Sequence, residues 1–146
     1  LFLSFTFASF PIGDILASRA SSELITEKIL TAENITVRFE EGTYEQLDQL
    51  YVSNQRHEVV LCLKGEKNDR EYVLSSAYVP LIYKQTFDHV AFESCSSETL
   101  AVLHTHPFKR CAASELDLQT LTEYHEKNRG ILMLIMCERG RISVYQ

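Results

Sequence analysis

Glycine and proline are scarce, 5 and 3 in 146 residues, which excludes collagen-like and low-complexity chains. Long apolar runs are missing as well. The longest are Ile131 to Cys137 and an N-terminal stretch from Leu1 to Phe10 that Ser4, Thr6 and Ser9 interrupt. A bilayer-spanning helix needs about 20 mostly apolar residues, so no membrane span is expected. The N-terminal stretch has neither a positive flank nor a small-x-small cleavage pattern, and it does not read as a secretory signal. Charge of one sign never forms a block. The 14 Lys and Arg face 20 Asp and Glu, a formal charge of -6, which disfavours a phosphate-backbone binder, so no nucleic-acid partner is expected. The 4 cysteines, Cys62, Cys95, Cys111 and Cys137, include no C-x-x-C pair. That excludes a zinc ribbon and a thioredoxin-type motif. They are too sparse for a disulfide-dependent secreted framework, and the expected compartment is the cytoplasm.

What is present is the balance of a globular protein, 45% hydrophobic and 23% charged residues, in a length that suits one domain. A strand is expected over residues 1–10, stopped by Pro11 and Gly13, and an amphipathic helix from Ile15 to about Leu30. Ile35 to Phe39 alternates as a half-buried strand does. Thr43 and Gln46 have capping-box spacing, and Tyr44, Leu47, Leu50 and Tyr51 share the face of a helix running to about Asn54. Val59 to Leu63 and Tyr72 to Val79 read as a hairpin, and Gln85 to Phe92 as a strand. Leu100 to Thr105 reads as a buried strand leading into His104. Ser114 caps a helix that runs to about Lys127, and Ile131 to Met136 with Ile142 to Tyr145 form a closing hairpin. Interleaved helices and strands without a repeat predict an α/β domain, a single mixed, curved sheet flanked by helices.

Three residues of metal-ligand type lie near one another in the sequence: His104, His106 and Asp117. Positions i and i+2 of a strand point to one side, so both imidazoles can aim at one point. Positions i and i+3 of a helix share a face, so Ser114 and Asp117 point together, and a seven-residue loop can fold them back on the strand. Two His and one carboxylate leave a tetrahedral position open, the pattern of catalytic rather than structural zinc.

The string His104-Thr105-His106-Pro107, followed by Ser114-Glu115-Leu116-Asp117, is H-x-H and then S-x-x-D. It resembles the JAMM motif of the MPN-domain metalloproteases. That family also uses a glutamate on an upstream strand, and Glu58 opens the run Val59 to Gly65 directly after a helix. Many members carry a Gly three residues after that Glu, where this chain has Leu61; Gly65 fits the common pattern. The order of elements matches over residues 35–146, which the resemblance makes an MPN-like, cytidine-deaminase-like domain. Residues 1–34 would form a strand-helix extension to it.

The resemblance implies a zinc-dependent isopeptidase or peptidase, deubiquitinase-like or desampylase-like, that cleaves after the C-terminal tail of ubiquitin or a ubiquitin-like modifier. His104, His106 and Asp117 would hold Zn2+, which makes hydroxide available near neutral pH. Glu58 would be the general base and proton carrier, and Ser114 would donate to the oxyanion. Thr105 should point away from the metal. The segment Tyr83 to Glu98 lies where family members bind the modifier tail by strand addition. No insertion follows the S-x-x-D helix, so narrow linkage selectivity is not expected. Two alternatives remain within this frame: a zinc hydrolase acting on a sulfur-carrier protein or its cysteine adduct, and a non-catalytic MPN scaffold.

The other titratable residues read more plainly. His57 belongs at the surface, His125 lies too far along its helix to join the site, and His89 has no partner. Cys111 is a loop or core thiol by the simpler reading, with a redox handle or a pairing with Cys137 as the other. Phe2, Phe5, Phe7 and Phe10 must be covered by the domain or by a second subunit, and a homodimer through the N-terminal segment is the expectation.

Overall fold

The computed structural model describes residues 14–86 and 90–146, the side chain of Phe108 excepted. In chain order these form helix α1 over 14–20, strands β1 (Glu23–Leu24), β2 (Ile29–Ala32) and β3 (Ile35–Phe39), and helix α2 (Glu41–Ser53). There follow β4 (Val60–Asn68), β5 (Glu71–Tyr78), β6 (Ile82–Gln85), β7 (Val90–Phe92) and β8 (Ala101–Thr105). A 3-10 turn at Pro107–Lys109, helix α3 (Glu115–Lys127), β9 (Leu132–Glu138) and β10 (Arg141–Tyr145) complete the chain. The strand expected over residues 1–10 lies outside the described residues.

One 8-stranded sheet has the order β1-β10-β9-β8-β4-β5-β3-β2, and β6 and β7 form a separate pair. β8 runs parallel to β9 and β3 parallel to β5, while the other neighbours are antiparallel. The mixed α/β sheet of the sequence reading is therefore present. Its two outermost strands, β1 and β2, are consecutive in the chain and joined only through residues 25–28, which a Thr26–Ile29 bridge tightens. So short a link forces the sheet to curl until its edges nearly meet.

Both faces of the sheet are covered. Leu61, Leu63, Ala101, Leu103, Leu132 and Leu134 point to one side, where Leu47 and Tyr51 of α2 pack on them. Val60, Cys62, Val102, Met133 and Ile135 point to the other, under Leu121 and Tyr124 of α3. Strands buried on both faces read as continuous apolar runs, as β8 and β9 do.

Three local expectations change. The helix expected from Ile15 to Leu30 stops at residue 20, because the chain beyond it pairs with β10 as β1 and with β3 as β2. Sheet pairing overrides a helical spacing of apolar residues, and Leu30 enters the core. Residues 23–32 thus contribute two strands to the sheet. Helix α2 begins at Glu41 with Glu40 as an N-cap that offers no side-chain bond, so Thr43 and Gln46 form no capping box. Gln85 to Phe92 is not one strand: Gln85 ends β6, and Val90 opens β7, which pairs antiparallel with it.

All four cysteines are paired, Cys62 with Cys95 and Cys111 with Cys137. The unpaired thiol favoured for Cys111 is therefore replaced by a bridge, because the loop after β8 returns to β9 where Cys137 sits. Two disulfides also run against the reduced compartment expected from the cysteine count, since such bonds persist where thiols are oxidised. Among the described residues no helix is long and apolar enough to cross a membrane.

Gly65 marks the point where β4 slips register against β5. A β-carbon there would lie 1.8 Å from the Val73 carbonyl oxygen, a backbone atom that no side-chain rotation can move. Gly65→Ala is expected to lower stability by about 3 kcal/mol or more, read as a shift of the urea midpoint; a midpoint equal to wild type would show that the two strands separate freely there.

Candidate functional site

Strand alternation decides which residues meet. On β4 and its approach, Glu58, Val60 and Cys62 share one face; on β8 and the residue just beyond it, Val102, His104 and His106 share one face. Val60 lies opposite His104, so the two rows abut on the α3 side of the sheet. The site thus sits where the apolar rows under α3 run out at the ends of β4 and β8. Thr105 faces the other way: its hydroxyl accepts from the Val59 amide at 2.8 Å, and its own amide donates to the Val59 carbonyl at 2.9 Å. This is the orientation expected of it, and it locks the end of β8 to the residue after Glu58.

Helix α3 delivers the remaining two. Ser114 is its N-cap and forms a full capping box with Asp117: Ser114 Oγ accepts from the Asp117 amide at 3.1 Å, and the Ser114 amide donates to Asp117 Oδ2 at 2.7 Å. The hydroxyl also donates to Asp117 Oδ2 at 2.6 Å. Such a box fixes the helix start and, with it, the direction of the carboxylate.

Asp117 then reaches both imidazoles. Its Oδ1 lies 3.2 Å from His104 Nδ1 and its Oδ2 lies 3.2 Å from His106 Nε2, while Glu58 Oε1 lies 3.6 Å from His106 Nε2. All four side chains are buried, Glu58 at 7% exposure and Asp117 at 5%. The structure therefore brings together Glu58, His104, His106, Ser114 and Asp117. As they stand, the side chains close on one another: among the described residues, no group of three or more His, Cys, Asp or Glu is arranged to hold a metal ion. Yet both ring nitrogens of His104 and Nε2 of His106 are buried without a hydrogen-bond partner among the described residues. Each such orphan costs about 1–3 kcal/mol, and a cation taken by one ring nitrogen of His104 together with His106 Nε2 would satisfy one on each ring. The donor set fits zinc by chemistry, two imidazoles and a carboxylate.

The protonation of His106 sharpens this point. Its Nδ1 lies 3.1 Å from the Arg110 carbonyl oxygen, an atom that only accepts, so Nδ1 carries the proton. In the neutral ring Nε2 then presents a lone pair to Asp117 and Glu58, acceptor against acceptors. Only a proton or a metal cation resolves that. Burial opposes the charged ring, but Asp117 first, then Glu58 and the Arg110 carbonyl, outweigh it and raise the His106 pKa above the ordinary 6.5. For Asp117 burial acts upward, and the His104 and His106 imidazoles with the Ser114 hydroxyl overcome it, holding the carboxyl far below the ordinary 3.8.

Several supports carry no signature in the sequence. Arg110 contributes a carbonyl, which every residue has. Gln85 Nε2 donates to the Glu58 carbonyl at 2.6 Å, and the Glu58 amide donates to the Thr86 carbonyl at 2.9 Å, so the end of β6 grips the Glu58 backbone on both sides. Phe92 of β7 stands edge-on to His104, ring centroids 5.5 Å apart. Of the remaining histidines, His57 is exposed. His125 approaches the Ile131 carbonyl at 3.1 Å and so serves the loop after α3, while His89 lies outside the described residues. No protein-family model and no curated protein matches the chain.

The pKa directions fix how the metal-free protein responds to pH. His106 stabilises the fold fully below 6.5 and loses that contribution as pH rises through its raised folded value. Asp117 contributes fully above 3.8 and loses it as pH falls towards its depressed folded value. The urea midpoint of chelator-treated protein should therefore be highest between about pH 4 and 6.5 and decline towards higher pH, and Asp117→Asn should remove most of that decline. A profile without the alkaline decline would show that His106 and Asp117 do not pair in the metal-free protein.

Proposed function

We propose that the chain is a JAMM-type zinc metalloprotease on an MPN-like domain, an isopeptidase or peptidase that cleaves after the C-terminal tail of ubiquitin or a ubiquitin-like modifier. One observation carries the reading: His106, its Nδ1 proton committed to the Arg110 carbonyl, turns Nε2 towards Asp117 and Glu58, and His104 turns Nδ1 towards the other oxygen of the same Asp117. A buried cluster of that composition, at the S-x-x-D and H-x-H spacing, suits a divalent cation. His104, His106 and Asp117 would hold it. Bound there, zinc supplies Lewis-acid activation of water and of the scissile carbonyl.

The chain's own groups do the rest. Glu58 is held by its backbone between Thr86 and Gln85, and its carboxylate sits beside His106. It accepts the proton of the attacking water and passes it to the leaving amine, as general base and then general acid. Ser114 Oγ donates to the oxyanion, which requires the hydroxyl to swing away from Asp117 Oδ2, its acceptor in this structure. Phe92 and the α3 face exclude water from the His104 side. An extended tail is accommodated by the β6–β7 pair, whose groove against α3, about 290 Å³, is lined by Tyr83, Val90, Phe92, Leu116 and Tyr124. Exposed Tyr83 and Leu116 give that groove the apolar surface a hydrophobic tail needs.

The purified protein is expected to hold zinc, about one ion per chain, and His104→Ala or Asp117→Ala to lose it; elemental analysis decides. Full hydrolysis of ubiquitin-like fusions by chelator-stripped wild type would overturn the assignment. Glu58→Gln should retain zinc and lose most turnover, because the amide keeps the shape and cannot take a proton. Ser114→Ala should lower kcat about a hundredfold while zinc stays bound. Loss of zinc in Ser114→Ala would instead mark the capping box as the residue's main role.

A further inference from the structure

The loop from Pro107 to Ala113 joins the two halves of the donor set, since His106 precedes it and Ser114 with Asp117 follows it. Its tethers converge on two residues. The Arg110 carbonyl orients His106 through Nδ1. The next residue, Cys111, is fully buried and tied by its amide to Ser18 Oγ at 3.1 Å, by its carbonyl to the Ser143 hydroxyl, and by its sulfur to Cys137. Cys137 in turn follows Met136, whose carbonyl accepts the His106 amide at 2.8 Å. His106, Arg110, Cys111, Cys137 and Met136 thus form a closed circuit in which the disulfide is the covalent link between loop and sheet. Within that circuit Lys109 is held at φ 61°, a left-handed conformation that a non-glycine residue keeps only when its surroundings impose it.

We propose that the Cys111–Cys137 disulfide is a redox latch on the metal-donor set, presetting His106 and Asp117 for a divalent cation when closed and lowering metal affinity when opened. The inference rests on the metal reading above and goes beyond it. Opening takes up two electrons and two protons to give two thiols. A dithiol supplies both and leaves as its own disulfide; a trialkylphosphine supplies the electron pair and leaves as its oxide, with oxygen from water. With the covalent tie to β9 gone, only the hydrogen bonds to Ser18 and Ser143 hold Cys111, so Arg110 is fixed less firmly, Lys109 can leave its left-handed conformation, and the carbonyl that orients His106 is loosened. Supports of this kind, one step behind a ligand, change metal affinity about ten- to a hundredfold. Linkage makes the effect mutual: a cation on the donors holds the loop down and so protects the buried bridge from reduction. The Cys62–Cys95 bridge ties β4 to the segment after β7 and has neither of its ends in the loop, which makes it the internal control.

The test uses the full chain, stripped of metal by a chelator and kept oxidised, and titrates Zn2+ against a chromogenic competitor. The oxidised protein should bind one zinc, the double variant Cys111→Ser with Cys137→Ser about ten- to a hundredfold more weakly, and Cys62→Ser with Cys95→Ser as tightly as wild type. In wild type, added zinc should slow phosphine reduction of Cys111–Cys137 and leave that of Cys62–Cys95 unchanged, followed by alkylation of released thiols and peptide mapping. This second measurement decides should the double variant not fold. Equal affinity with and without the bridge, or equal reduction rates with and without zinc, overturns the latch alone. Oxidised wild type that takes up no zinc overturns the metal reading, and the latch with it.

Discussion

Two carboxylates and two imidazoles buried within 3.2 to 3.6 Å of one another are the constraint around which the rest of the chain is arranged. Charges taken out of water must be compensated in place, and here the compensation is mutual. Asp117 spans both rings, Glu58 leans on one, and Ser114 and Arg110 supply the outer hydrogen bonds. Its members come from three separate stretches of chain, so the cluster exists only if β4, β8 and the start of α3 are mutually fixed. The parallel pairing of β8 with β9, the Thr105 bond to Val59 and the capping box on α3 are the three devices that fix them.

The same geometry explains why the edges of the site are held by backbone rather than side chains. Glu58 lies just before β4, outside the main ladder, and its amide and carbonyl would be unpaired there. The end of β6 supplies both partners. The small β6–β7 pair therefore touches the site twice, through the Glu58 backbone and through Phe92 against His104. An element that contacts both the general base of the proposed reaction and one of the proposed ligands transmits any displacement of itself to the reacting groups.

Most of the sheet was legible in the sequence because its signals are local. The alternation in Ile35 to Phe39, the apolar runs into Leu63 and His104, and the cap at Ser114 all correspond to elements at nearly those bounds. The co-location of Glu58 with the two His and Asp117 was legible too, through a spacing pattern rather than through any single residue. What stayed hidden depends on distant pairing. Residues 23–32 have apolar spacing that suits a helix, and only the open edges of β10 and β3 turn them into strands. The two disulfides join cysteines 33 and 26 residues apart, and no sequence spacing announces that β4 meets the segment after β7. Arg110, Gln85 and Thr86 act through backbone atoms or a single amide, which carry no pattern at all.

The short connection between β1 and β2 has a wider consequence than the shape of the sheet. Exposed strand edges invite pairing with other chains, and proteins ordinarily blunt them with charge, bulges or covering segments. Here the chain spends four residues, 25–28, to draw the two margins of the main sheet towards each other, leaving little open ladder there for an incoming strand. The two-stranded β6–β7 unit stands outside that closure, as a separate pair. The sheet whose margins curl together thus leaves the β6–β7 pair standing apart, with its end gripping Glu58.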